Sequence, residues 1–229
     1  MIDSAGWVAL RLSLWVATWS TLCALPLAIW VAWALARREF PGKTALNAAV
    51  HLPLVLPPVV TGYLLLLSFG RQAPLGRFFE ETLGLVFSFR WTGAALAAAV
   101  MSFPLMVRAI RLAIEAVDVK LEDAAATLGA PGWAVFARVT LPLTLPGILA
   151  GAVMGFAKAL GEFGATITFV ANIPGQTQTL PSAIYSLLQV PGAEGRAAAL
   201  VLLACVFALA AVLVSEWLAR RVAKRIAGA

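Results

Sequence analysis

The side chains that could do chemistry in this chain are few and scattered. The lone histidine, His51, and the two cysteines, Cys23 and Cys205, fall in separate apolar stretches with no metal-ligand spacing between them. Gly42-Lys43-Thr44 ends like a phosphate-binding loop, but Arg37 stands where that loop needs its first glycine, and no β-strand precedes it. Lys158 and Glu162 are spaced for an ion pair along a helix, or for charged groups facing a cavity. None of these sets builds a catalytic centre, and the chain is expected to bind no cofactor or metal. The most informative spacing is Asp123-Ala124-Ala125, three residues, Gly129, nine residues, Val139, one residue, then Leu141-Pro142. It lacks a nucleophile and a base, and its chemistry is that of docking.

A short helix must position this series. Asp118 can cap its N-terminus, and Leu121, Ala124, Ala125 and Leu128 then fall at i, i+3, i+4 and i+7 as one apolar stripe. Gly129 suits a left-handed stop, and Pro131 suits the start of a second helix. The run Ala124 to Ala126 keeps the first helix slim enough for another protein's groove to close around it, with Glu122 and Asp123 alongside.

Composition supplies the setting. With 62% hydrophobic and 12% charged residues over 229 positions, the chain is an integral membrane protein. Five stretches reach the ~20 residues that cross a bilayer: about 12–36, 45–69, 91–110, 143–160 and 197–214. The expected fold is all-α, a polytopic helix bundle in one domain over 1–229, with its core at about 7–218. The first stretch is too long for a cleaved signal and lacks a basic cluster before it, so it is expected to stay as a helix.

With the N-terminus outside, the inner side receives Arg37, Arg38, Lys43, Arg108, Arg111, Lys120, Arg138, Arg220, Arg221, Lys224 and Arg225. The outer side receives Arg11, Arg71, Arg77, Arg90 and Arg196. This asymmetry predicts a periplasmic N-terminus, a cytoplasmic C-terminus and a cytoplasmic loop at about 114–142. The net charge of +6 is topogenic and lipid-facing, and no nucleic-acid surface is expected.

Pro53, Pro57 and Pro58 predict a kink or interruption in the cytoplasmic half of the second span, either as a gate near Thr61 or as a static bend. Gly147, Gly151 and Gly155 make a smooth face for a closely packed neighbour, in this chain or in a second copy. Beyond the fourth span, about 163–196 reads as a structured periplasmic segment.

The Asp123-to-Pro142 series resembles the EAA loop of ABC importer permeases, whose cytoplasmic coupling helix docks on an ATPase subunit. Asp123 replaces the family's usual Glu and Val139 its usual Ile. Leu52 to Tyr63, Gly161-Glu162-Phe163-Gly164-Ala165 and Asn172-Ile173-Pro174-Gly175 together resemble molybdate permeases, relatives of the sulfate/thiosulfate permeases. The resemblance implies a type I importer of molybdate, and of tungstate, in the bacterial inner membrane. It implies coupling to the ATPase through Glu122, Asp123, Ala124, Ala125, Leu128, Gly129, Leu141 and Pro142. It further implies a second copy of the chain, a cytoplasmic ATPase dimer that uses ATP and Mg, and a periplasmic molybdate-binding protein. Pro57, Pro58, Thr61, Lys158 and Glu162 are the candidate gate or pathway residues. Sulfate/thiosulfate permease, gradient-driven transporter and non-transporting scaffold remain the alternatives.

Overall fold

The computed structural model describes residues 4–226 and is helical in all its regular elements. The expected limits at 1 and 229, and the side chains of Arg220, Lys224 and Arg225, lie outside what it describes. In chain order the helices are α1 (Ser4–Arg37), α2 (Lys43–Val55), α3 (Pro58–Phe69), α4 (Pro74–Leu83), α5 (Trp91–Glu115), α6 (Val119–Thr127) and α7 (Gly132–Val135). A π-helical turn, Phe136–Thr140, joins α7 to α8 (Leu141–Leu160), and α9 (Gly164–Val170), α10 (Leu180–Leu188) and α11 (Glu194–Ile226) complete the bundle.

Helices α1, α5 and α8 form its centre. Ala28, Val31 and Leu35 of α1 bury against Met106, Ile110 and Ile114 of α5, and Ile148 of α8 closes this layer. A second layer toward the other end joins Val16 and Ala17 to Ala94, Ala98 and Met101, with Phe169 of α9 buried among them. The glycine stripe of α8 makes the close approach possible. A Cβ on Gly147 would lie 2.1 Å from Ala113 Cβ, and one on Gly155 would lie 2.6 Å from Met106 Cγ. The neighbour expected from that stripe is therefore α5 of the same chain. On α11, Leu202, Val206, Leu209 and Leu213 face outward, as suits a helix whose surroundings are lipid.

The second expected span is broken. Helix α3 turns through 116° from α2 at Leu56-Pro57. Two successive prolines remove two backbone donors and force Leu56 into an extended conformation (φ −71°, ψ 142°), after which Pro58 restarts a helix at its first turn. Pro53, inside α2, does not break it. The two halves are anchored at opposite ends of α5. Arg111, near the C-terminus of α5, donates to Asn47 Oδ1 of α2 (3.2 Å), whereas the Phe69 ring at the end of α3 meets Phe87 just before α5 begins (centroids 5.6 Å). Helices α2 and α3 form one sharply bent pair whose 116° turn leaves it far shorter, end to end, than the roughly 37 Å rise of α5. With that pair counted as one span, the structure has up to 5 membrane spans.

The segment after α8 does not stand clear of the bundle. Helix α9 folds in against α3 and α5, with Ala165, Phe169 and Val170 fully buried. Leu180 and Ala183 of α10 then pack with Ala9, Leu10 and Leu200, tying the starts of α1 and α11 to the same layer.

Candidate functional site

The loop around α6 has the local geometry that its sequence implies. Asp118 takes the N-cap position of α6, accepting from the Lys120 amide through Oδ1 (3.0 Å). Gly129 adopts φ +87°, a conformation costly for any residue with a Cβ, and reverses the chain toward Pro131, which caps α7. Leu121 is 50% exposed and Leu128 89% exposed, so the apolar stripe of α6 points away from the bundle. Asp123 and Ala124 share that exposure, while Ala125 is half-buried. Leu141 packs against the α1–α5–α8 layer, and Pro142 sits exposed in the first turn of α8.

Glu122 faces the other way. Its Oε1 accepts from the Thr140 hydroxyl (2.6 Å), and its Oε2 lies 2.9 Å from Arg37 Nε at the end of α1. The Arg37 Nε–H does not point along that contact, so the attraction is ionic rather than a hydrogen bond. Arg37 Nη2 donates to the Val117 carbonyl (2.9 Å), one residue before the cap. Beside them, Trp33 stacks edge-on with Phe136 (5.7 Å), and the Arg38 guanidinium sits 4.9 Å over the Trp33 ring. One end of the bundle thus grips α6 by its polar edge and leaves its apolar edge free. Sequence reasoning grouped Glu122 with the outward docking residues. Its partners are 85 and 18 positions away along the chain, beyond the reach of any local pattern.

The candidate pathway residues come together in the other layer, where the two motifs that resemble oxyanion permeases pack against one another. A Cβ on Gly62 would lie 2.5 Å from the Ala165 carbonyl oxygen, and one on Gly164 would lie 2.8 Å from Pro58 Cβ. Pro57 and Pro58 thus form the corner against which α9 is seated. Glu162 is 3% exposed and fully engaged: Oε1 accepts from the Ala165 amide (3.0 Å) in the first turn of α9, and Oε2 accepts from Lys158 Nζ (2.8 Å). An anion at the start of a helix is well placed electrostatically, so Glu162 holds the turn between α8 and α9. Thr61 is buried, and its hydroxyl has no partner among the described residues. No group of His, Cys, Asp and Glu suited to a metal occurs among the described residues.

The family model for the binding-protein-dependent transport system inner membrane component matches residues 24–227. The chain is 59% identical over 220 residues to the molybdenum transport system permease protein ModB of Escherichia coli (strain K12), covering 96% of both chains. It is 42% identical over 201 residues to ModB of Mycobacterium tuberculosis (strain ATCC 25618 / H37Rv), covering 88% of this chain and 75% of that one. The sulfate transport system permease protein CysW of Synechococcus elongatus is 40% identical over 173 residues, 76% of this chain and 60% of its own length. Among solved structures, a bacterial ABC transporter that imports the acidic polysaccharide alginate superposes with a TM-score of 0.75 at 20% identity, over 96% of this chain and 80% of that one. The MetNI methionine ABC transporter, inward facing, gives 0.71 at 14% identity over 95% and 94%. Both share the fold. With a family match over residues 24–227 and a helical bundle of four to five candidate spans, the chain belongs to the binding-protein-dependent transport system inner membrane components, the permease subunits of ABC transporters.

Proposed function

We propose that this chain is the membrane-spanning subunit of an ATP-driven importer of molybdate, with tungstate as its chemical analogue. The observation that carries the reading is the 59% identity to a molybdenum permease across 96% of both chains. Two copies of the chain enclose the pathway, each docked through α6 on a cytoplasmic ATPase that uses ATP and Mg. A periplasmic binding protein delivers the anion. Glu122, Asp123, Ala124, Ala125, Leu128, Gly129, Leu141 and Pro142 form the coupling loop, with Asp123 and the stripe Leu121–Leu128 toward the ATPase. Pro57, Pro58 and Thr61 shape the gate, and Lys158 and Glu162 hold the turn that supports it.

The N-terminus is periplasmic and the C-terminus cytoplasmic. The excess of Lys and Arg at the α6 end of the bundle, to which the contact of Arg37 with Glu122 ties the end of α1, supports this orientation. Sulfate is the second reading of the cargo, favoured by the 40% identity to a sulfate permease.

The test is uptake into proteoliposomes containing the chain with its copurified ATPase, in the presence of the binding protein. ATP-dependent molybdate accumulation, inhibited by tungstate and little by sulfate, is expected. Sulfate accumulation without molybdate accumulation overturns the cargo, and uptake that needs neither ATP nor the binding protein overturns the importer.

A further inference from the structure

A cavity of about 640 Å³ opens between the end of α3, the loop before α5 and the loop that contains Gln176. It lies at the end of the bundle opposite α6. Its lining carries two arginines, Arg71 and Arg90, with Gln72, Gln176 and Ser88, and no carboxylate. Arg71 is held loosely, 3.4 Å from Glu80, and is mostly exposed. Arg90 has no acidic partner among the described residues. Ser88 is 7% exposed, and its hydroxyl has no hydrogen-bond partner there.

The helix adjacent to this cavity sharpens the point. Arg90 is the N-cap of α5, a helix of 25 residues, and supplies no side-chain cap to its first amides. A cation at that position opposes the positive end of the helix dipole, whereas an anion between them satisfies both. An unpartnered hydroxyl and two guanidinium groups are the donors that a tetrahedral oxyanion takes up.

We infer that this cavity is an oxyanion-binding subsite at the outer mouth of the permease, held by Arg71, Arg90 and Ser88. The inference rests on the importer reading for its purpose, which is to receive the anion before it enters the corner at Pro57-Pro58. The same chemistry would accept a free dianion or the phosphate of a lipid headgroup, because Leu66 and Val86 wall one side of the cavity.

The experiment uses the permease–ATPase complex without binding protein, in a maltoside detergent, with labelled tungstate as probe in equilibrium dialysis. Arg90→Gln and Arg71→Gln are each expected to weaken binding about tenfold, the scale of one lost charge-assisted hydrogen bond. Arg90→Lys should recover part of the loss, and Arg77→Gln, on α4 outside the cavity, should change nothing. In the unaltered complex, tungstate should protect Arg90 from phenylglyoxal modification read by mass spectrometry, a measurement that needs no variant. Phosphatidylglycerol added in place of tungstate separates the sources: protection of Arg90 by the lipid alone assigns the subsite to a headgroup. Tungstate and lipid binding that ignore Arg71 and Arg90, with no protection of Arg90, overturns the subsite. Molybdate uptake by the unaltered complex is scored separately. Its absence alongside Arg90-dependent tungstate binding sinks the importer reading and leaves the subsite standing.

Discussion

Gly62 and Ala165 touch backbone to backbone: a single methyl on Gly62 would stand 2.5 Å from the Ala165 carbonyl oxygen and 2.9 Å from its Cα. The corner of the broken span and the re-entering α9 are thus one packed unit. Gly62→Val should cost about 1–3 kcal/mol or more, because the obstruction is backbone and cannot rotate away. Thermal unfolding of the purified complex should show a clear drop for Gly62→Val and little change for Gly132→Ala, whose added Cβ would meet nothing within 4 Å. Equal stability of the two variants would show that α3 and α9 are not packed this way.

Arg37 and Glu122 should matter for coupling without touching the ATPase. Removing one partner leaves the other charge in a site where both side chains are 14% exposed, which should loosen α6 by about 1–3 kcal/mol. Arg37→Gln and Glu122→Gln are expected to raise hydrogen exchange across residues 118–130 and to lower transport-linked ATP hydrolysis several-fold. Unchanged exchange in both variants would refute the clamp.

Asp123→Lys and Gly129→Val should act at the outward edge instead. The valine must enter φ +87° or unwind the turn, a strain of order 1–3 kcal/mol. Both variants are expected to insert into the membrane normally and to lose copurifying ATPase. Retention of the ATPase with full uptake would remove α6 from the docking surface.

Topology is testable by labelling. A cysteine at Ala124, placed in a chain with Cys23 and Cys205 replaced, should resist an impermeant thiol reagent in intact cells, and one at Thr82 on α4 should react. The reverse pattern would invert the bundle and move the Arg71–Arg90 cavity to the cytoplasm.

The sequence made much of this legible because its strongest signals are local. Long apolar runs mark α1, α5, α8 and α11, paired prolines mark the break at Leu56, and Asp118 and Gly129 bracket α6. What was not legible depends on contacts between distant segments. Helix α9 is 7 residues long, too short to show a period, and its burial against α3 follows from Gly62 and Gly164 only once both are placed. The inward role of Glu122 required Arg37 and Thr140 to arrive from separate helices. The glycine stripe of α8 foretold a close neighbour, and only Ala113 and Met106 identify it as α5.

The π-helical turn at Phe136–Thr140 sets an angular phase. Each residue advances an α-helix by about 100°, and a π turn takes up one residue more than an α turn over the same arc. Thr140 therefore meets Glu122 with α8 oriented as it is because the backbone stores that extra residue just below. Trimming one residue from Phe136–Thr140 would turn the π turn into an α turn over the same arc and leave the loop in phase with α8, whereas trimming one from the regular helix α7, between Glu122 and Thr140, would rotate the loop by about 100°. A neighbour of Thr140 would then be aimed at Glu122, and the outward stripe of α6 would be carried off its bearing. The five residues of the π turn thus absorb one extra residue while keeping Thr140 aimed at Glu122.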